Sequence, residues 1–131
     1  MKRIILLVFV GILFVSCKKE REISQQEKEK IVAELNQIRI IDQKYAGIPP
    51  FYLKEKYGNQ KAWEIFEQQR DSVSIANQNK IKQLYKNYGY LGEKKVGEGA
   101  ATNFWVTIQH ADNNIPFQQE MLKAMKKEIG N

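Results

Sequence analysis

An all-α, single-domain bundle of about four helices is the fold class this sequence predicts, on three observations. Apolar residues recur at i, i+3, i+4 and i+7 through every long segment, which is the spacing of one helix face. Prolines and most glycines of the mature part cluster where one such segment gives way to the next. The segment Val96 to Asp112, reading VGEGAATNFWVTIQHAD, is apolar on more than one side and holds the only histidine. A helix apolar on several sides is buried on several sides. A central buried helix near residues 98-111 is therefore expected, covered by amphipathic neighbours. The chain divides into a signal segment at residues 1–16, a polar tether at 17–23 and a helical domain at 24–131.

The N-terminus comes first in the chain. Lys2 and Arg3 precede an apolar run from Ile4 to Val15, then Ser16-Cys17, the layout of a secretory signal peptide. The run is about 12 residues, or roughly 18 Å as helix, short of a hydrocarbon core of about 30 Å. Phe14-Val15-Ser16-Cys17 resembles the lipobox of bacterial lipoproteins, with Phe14 where leucine is commonest. The resemblance implies cleavage before Cys17 and acylation of that cysteine, palmitate among the chains. Two or more acyl chains make a stable anchor, so the expected partner is the lipid bilayer. The expected location is the bacterial cell envelope, at the outer membrane or cell surface rather than the inner membrane. Cys17 is the only cysteine, which removes disulfides and cysteine-based zinc sites together. Lys18 to Glu22 reads as a tether able to touch anionic headgroups.

Net charge is +6 over 131 residues, and it falls to +4 once Lys2 and Arg3 leave with the signal segment. The remaining lysines alternate with glutamates, as in Glu27-Lys28-Glu29-Lys30. Such mixtures form solvated helix faces, not nucleic-acid grooves. No nucleic-acid partner and no cofactor is expected.

The first helix begins at Ser24, which has capping-box spacing to Glu27. Its stripe is Ile31, Leu35, Ile38 and Tyr45, with Asp42 intruding where an apolar residue belongs. A buried carboxylate is costly unless paired or hydrogen-bonded. Either Asp42 caps neighbouring backbone, or it belongs to a polar site facing the central helix. Gly47-Ile48-Pro49-Pro50 ends the helix, and Phe51, Tyr52, Leu53 and Tyr57 are expected to pack as a flap.

Gly58-Asn59 offers a turn before a second helical stretch from Gln60 to Tyr88. Its stripe is Trp63, Phe66, Arg70, Val73, Asn77, Ile81, Leu84 and Tyr88, helical throughout. As one rod it measures roughly 43 Å, longer than a small domain, so a break is expected near Ser72–Ser74. Arg70 and Asn77 interrupt the stripe as Asp42 does in the first helix. Gly89 suits the position after the helix end. On the central helix Ala101, Phe104, Trp105 and Ile108 share one face, while Val106 lies near the side of His110. Gln109 and His110 are therefore expected to be partly enclosed. The last helix is capped by Asn113 or Asn114, with Pro116 in its first turn. Its apolar face is Phe117, Met121, Leu122, Met125 and Ile129.

The run from Asn77 through Tyr88-Gly89-Tyr90, Val96-Gly97, Ala100-Ala101 and Gln109-His110-Ala111-Asp112 to Phe117-Gln118, with the earlier Asp42-Gln43, resembles an uncharacterised bacterial family. That family is the domain-of-unknown-function family six-six-two-four. The resemblance spans roughly residues 31–131 and implies a fold relative, with no assigned reaction. Ser74 and Ala46 depart from the family pattern, where an acidic residue and an arginine are usual. The resemblance also implies a C-terminal continuation with an Asp-Arg segment and a Tyr-Gly-Thr-Gln motif. On that comparison the chain reads as a short or truncated member.

The candidate site residues are Asp42, Gln43, Arg70, Asn77, Gln109, His110 and Asp112. Asp42 and His110 form an acid–base pair if they come within hydrogen-bond reach; otherwise His110 is a satisfied core histidine. No serine, cysteine or lysine stands in a recognisable nucleophile motif. One histidine and no free mature cysteine argue against a metal site. On a continuous helix His110 and Asp112 also point about 200° apart. The expected function is a membrane-anchored lipoprotein with a binding or structural role in the envelope. The alternative is a hydrolase-like enzyme using Asp42 and His110, and a third reading is an immunity-type or envelope-stress protein that presents a helix face to a protein partner.

Overall fold

Ser24 opens the first helix with a reciprocal capping box. Its hydroxyl accepts from the Glu27 amide at 3.3 Å while the Glu27 carboxylate accepts from the Ser24 amide at 3.1 Å. Two of the orphan donors at the helix start are thereby satisfied. The computed structural model describes residues 22–130, so the signal segment, Cys17 and most of the tether lie outside the described residues. Among the described residues six helices succeed one another: α1 (Gln25–Lys44), α2 (Phe51–Tyr57), α3 (Asn59–Tyr88), α4 (Glu93–Val96), α5 (Glu98–Gln109) and α6 (Ile115–Ile129). The described residues contain no strand. The class is all-α; the two helices beyond the expected four are the short α2 and α4.

The central position of α5 is the organising feature, since it packs against α1, α3, α4 and α6. Phe104 and Ile108 of α5 are buried among Ile31, Leu35 and Ile38 of α1, Ile81 and Leu84 of α3, and Phe117 and Met121 of α6. Tyr90 meets the Phe104 ring edge-on at 5.4 Å between centroids, a favoured aromatic geometry. Burial there, with Glu128 nearby, pushes the Tyr90 phenol above its ordinary pKa.

Helix directions emerge from the long-range bonds. Asn36 meets Asn103 and Asp42 meets His110, so α1 and α5 run parallel. Tyr45, the C-cap of α1, packs on Phe66 of α3 at 5.7 Å, while Ile31 and Leu35 share the core with Ile81 and Leu84; α3 therefore runs against α1. Ile115 lies beside Ile108, and Met125 beside Ala101, so α6 returns along α5.

Several expectations change. The second stretch is one uninterrupted helix of 30 residues, about 45 Å long, with no break at Ser72–Ser74. It overshoots the main core, and α2 folds back to cover the overshoot. Leu53, Ala62 and Phe66 are buried there, and Trp63 meets Phe66 edge-on. Both halves of α3 thus find a partner, and nothing forces a bend. The flap is only partly packed: Leu53 is buried, whereas Phe51, Tyr52 and Tyr57 are exposed.

The central helix stops at Gln109 with His110 as its C-cap. Ala111 enters the core, and Gln109 and His110 face solvent. On α6, Phe117 and Met121 are buried but Leu122 and Ile129 are exposed, because α6 packs on α5 along a narrow face. Asn114 supplies the α6 cap, its side-chain oxygen accepting from the Phe117 amide.

Candidate functional site

Two hydrophobic clusters, the main core and the α2–α3 cluster, leave a gap where the C-terminal end of α1, the middle of α3 and the α5–α6 turn converge. The gap is an open cavity of about 580 Å³, within the roughly 300–1,000 Å³ range of small-ligand sites. Asp42 and the C-cap Tyr45 line it from the end of α1, Arg70, Asp71 and Ser74 from α3, and His110, Asp112 and Asn113 from the turn.

Asp42 sits in the last turn of α1, where the negative end of the helix dipole disfavours a carboxylate. Its position is compensated by two donors. Arg39 Nη1 lies at 3.3 Å from Oδ2 and His110 Nδ1 at 3.0 Å from the same oxygen. The Asp42 side chain is 15% exposed and that of His110 48%, so the pair is rooted in the protein and open to solvent on the imidazole side. A carboxylate only accepts hydrogen bonds, so His110 Nδ1 carries the hydrogen, which in the neutral ring leaves Nε2 as an acceptor.

The turn that carries His110 is held from two sides by amides. Gln118 of α6 donates from Nε2 to the carbonyl oxygens of Ile108 and Gln109 at 3.1 and 3.0 Å, satisfying orphan acceptors at the end of α5. Gln78 of α3, only 3% exposed, donates from Nε2 to Asn113 Oδ1 at 2.8 Å and to Ser74 Oγ at 3.1 Å. Its Oε1 accepts from Asn114 Nδ2 at 2.9 Å.

The sequence candidates separate accordingly. Asp42, Arg70, His110 and Asp112 all line the one cavity. The helix end at Gln109 is what brings His110 and Asp112 to the same side; the continuous helix assumed from sequence kept them apart. Arg70 is half-buried and its closest acid is Glu67, one turn away at 3.6 Å. Gln43 points to solvent outside the cavity, and Gln109 borders a separate apolar groove with Trp105, Ile115 and Leu122.

Asn77 is 2% exposed and lies one turn beyond Val73 and Ser74, outside the cavity lining; its amide nitrogen has no protein partner. Sequence reasoning missed Gln78. A polar residue beside the apolar stripe gave no periodic signal, because stripes expose an apolar face and Gln78 faces a polar turn. Among the described residues no three or more His, Cys, Asp or Glu stand close enough to hold a metal ion. No family model, curated protein or solved structure matches this chain.

Proposed function

We propose that this chain is a lipid-anchored bacterial envelope protein whose helical domain binds a small polar ligand in the α1–α3–turn cavity. The Asp42–His110 hydrogen bond, 3.0 Å long in a solvent-open cavity, carries the binding part. The pair is not sealed in the core, and it presents an imidazole to a ligand-sized space. The anchor rests on the lipobox-like Phe14-Val15-Ser16-Cys17; among the described residues no helix is long and apolar enough to cross a membrane. The rise of α1 from Ser24 to Asp42 is about 27 Å, so the cavity lies at the end of α1 away from the proposed anchor. The likeness to family six-six-two-four belongs to the same proposal, and its most specific stretch, Gln109-His110-Ala111-Asp112, is the turn beside this cavity.

The freed Nε2 of His110 favours a second reading, in which the pair acts as general base toward a water molecule. The ring is held in one tautomer by its carboxylate, as that chemistry requires. Ser74 lines the cavity, but its side chain is bonded to Gln78 and His110 to Asp42, with no hydrogen bond between Ser74 and His110 among the described residues, so water is the nucleophile this arrangement suits.

A screen of small polar fragments against the full chain in micelles, monitored on the His110 ring protons, tests the site. Fragments are expected to shift those signals saturably and to lose the effect in Asp42→Ala; hits that persist unchanged in the variant sink the reading. A fragment returned hydrolysed favours the second reading. For the anchor, the full chain made in bacteria fed an alkyne-bearing palmitate is expected to carry the label, and Cys17→Ser to carry none. An unlabelled wild-type chain removes the anchor from the proposal.

A further inference from the structure

The charges around the cavity are unevenly compensated. Asp42 is satisfied by Arg39 and His110. Arg70 faces only Glu67, at 3.6 Å and half-exposed on both sides, a pairing that contributes little and is readily exchanged. Among the described residues Asp71 has no ion pair, and the Asp112 side chain is hydrogen-bonded only to the neutral Gln118 amide, at 3.5 Å. One guanidinium and two carboxylates without cationic partners therefore border a single space, beside the Tyr45 ring and the apolar Val73 and Ala46.

Unlike charges brought to one cavity and not spent on each other suit a ligand that carries both signs. An arginine fork matches a carboxylate in geometry, and two aspartates match the three donors of an ammonium. Resting on the ligand-binding reading above, we propose that the cavity takes a small zwitterion, an amino acid or short peptide. Its carboxylate lies on Arg70, its ammonium lies between Asp71 and Asp112, and the uncharged part lies against Tyr45.

The probe is L-alanyl-L-alanine, compared with its N-acetyl and its C-terminal amide forms, each titrated against the full chain in micelles and read on the His110 ring and on the backbone amides of 110–113. The free dipeptide is expected to bind saturably, and each capped form roughly three- to fivefold more weakly, the size of a partly exposed charge pair. Asp71→Asn is expected to reduce the penalty for acetylation, since Asp112 remains, and to keep that for amidation in full; Arg70→Gln is expected to remove the penalty for amidation and to keep that for acetylation. Both positions are at the solvent edge of α3, so neither change disturbs the core.

Three equal affinities, or capping penalties untouched by the variants, overturn the zwitterion. If uncharged or singly charged fragments move His110 while the dipeptide does not, the cavity is a ligand site of another class and only this inference falls. If no probe and no fragment moves His110, both readings fall.

Discussion

Phe104→Ala is expected to lower the unfolding free energy by about 3–5 kcal/mol, the usual range for truncating a fully buried phenylalanine. Phe104 has no solvent exposure and belongs to the helix that packs on four others. Its removal deletes the edge contact with Tyr90 and opens a void between α1, α3 and α5. The surrounding helices are tied to one another mainly through α5, so they collapse poorly onto the space. Chemical denaturation monitored by far-ultraviolet circular dichroism measures this as a lower midpoint at unchanged slope. A loss below about 1 kcal/mol shows that the bundle does not depend on α5 as its packing suggests. Near the new midpoint the Asp42–His110 bond is lost together with the fold, because those residues meet only when α1 and α5 lie side by side.

Gln78→Leu and Asn77→Leu are expected to act in opposite directions although the residues are neighbours. The first removes a buried amide that serves Ser74, Asn113 and Asn114 at once. Stranding those partners costs about 1–2 kcal/mol, less than the full penalty for a sealed site because Asn113 reaches water. The second removes a buried amide nitrogen that has no protein partner, and replacing it by an apolar group of similar size adds about 1 kcal/mol. Equilibrium denaturation of both variants gives the signs. Amide exchange adds a local reading, with faster exchange at 110–114 expected for Gln78→Leu alone, since Gln78 ties that turn to α3. Equal effects at the two positions contradict the hydrogen-bond assignment. The Gln78 variant also bears on function, because the turn it secures carries His110, Asp112 and Asn113 to the cavity.

Much of the local architecture was legible. The Ser24–Glu27 spacing marked the start of α1, Pro49-Pro50 its separation from α2, and Gly89, with φ at +74°, the end of α3. Asn114 was among two candidates for the α6 cap and is the one that bonds Phe117. Asp42 stood out as a carboxylate in an apolar stripe, and His110 as the lone histidine of the central helix. The structure puts them in one hydrogen bond. The expected enclosure of Gln109 and His110 was wrong: Gln109 lies on a face of α5 that no other helix covers, and the chain leaves the helix after it, so that Ala111 enters the core while His110 stays at the surface.

The sequence by itself therefore determined whatever acts within about four residues along the chain: capping, proline and glycine breaks, and which face of each helix is apolar. Only the tertiary structure decided the continuity of α3, which depends on α2 folding back over its overshoot. Only it decided which of Asn77 and Gln78 is useful, because adjacent helical residues point about 100° apart and the choice depends on where the α5–α6 turn lands. The Asp42–His110 contact joins residues 68 apart in sequence. No local preference sets such a distance; it exists because the apolar faces of α1 and α5 are buried against each other in parallel, which carries their C-terminal ends to the same place.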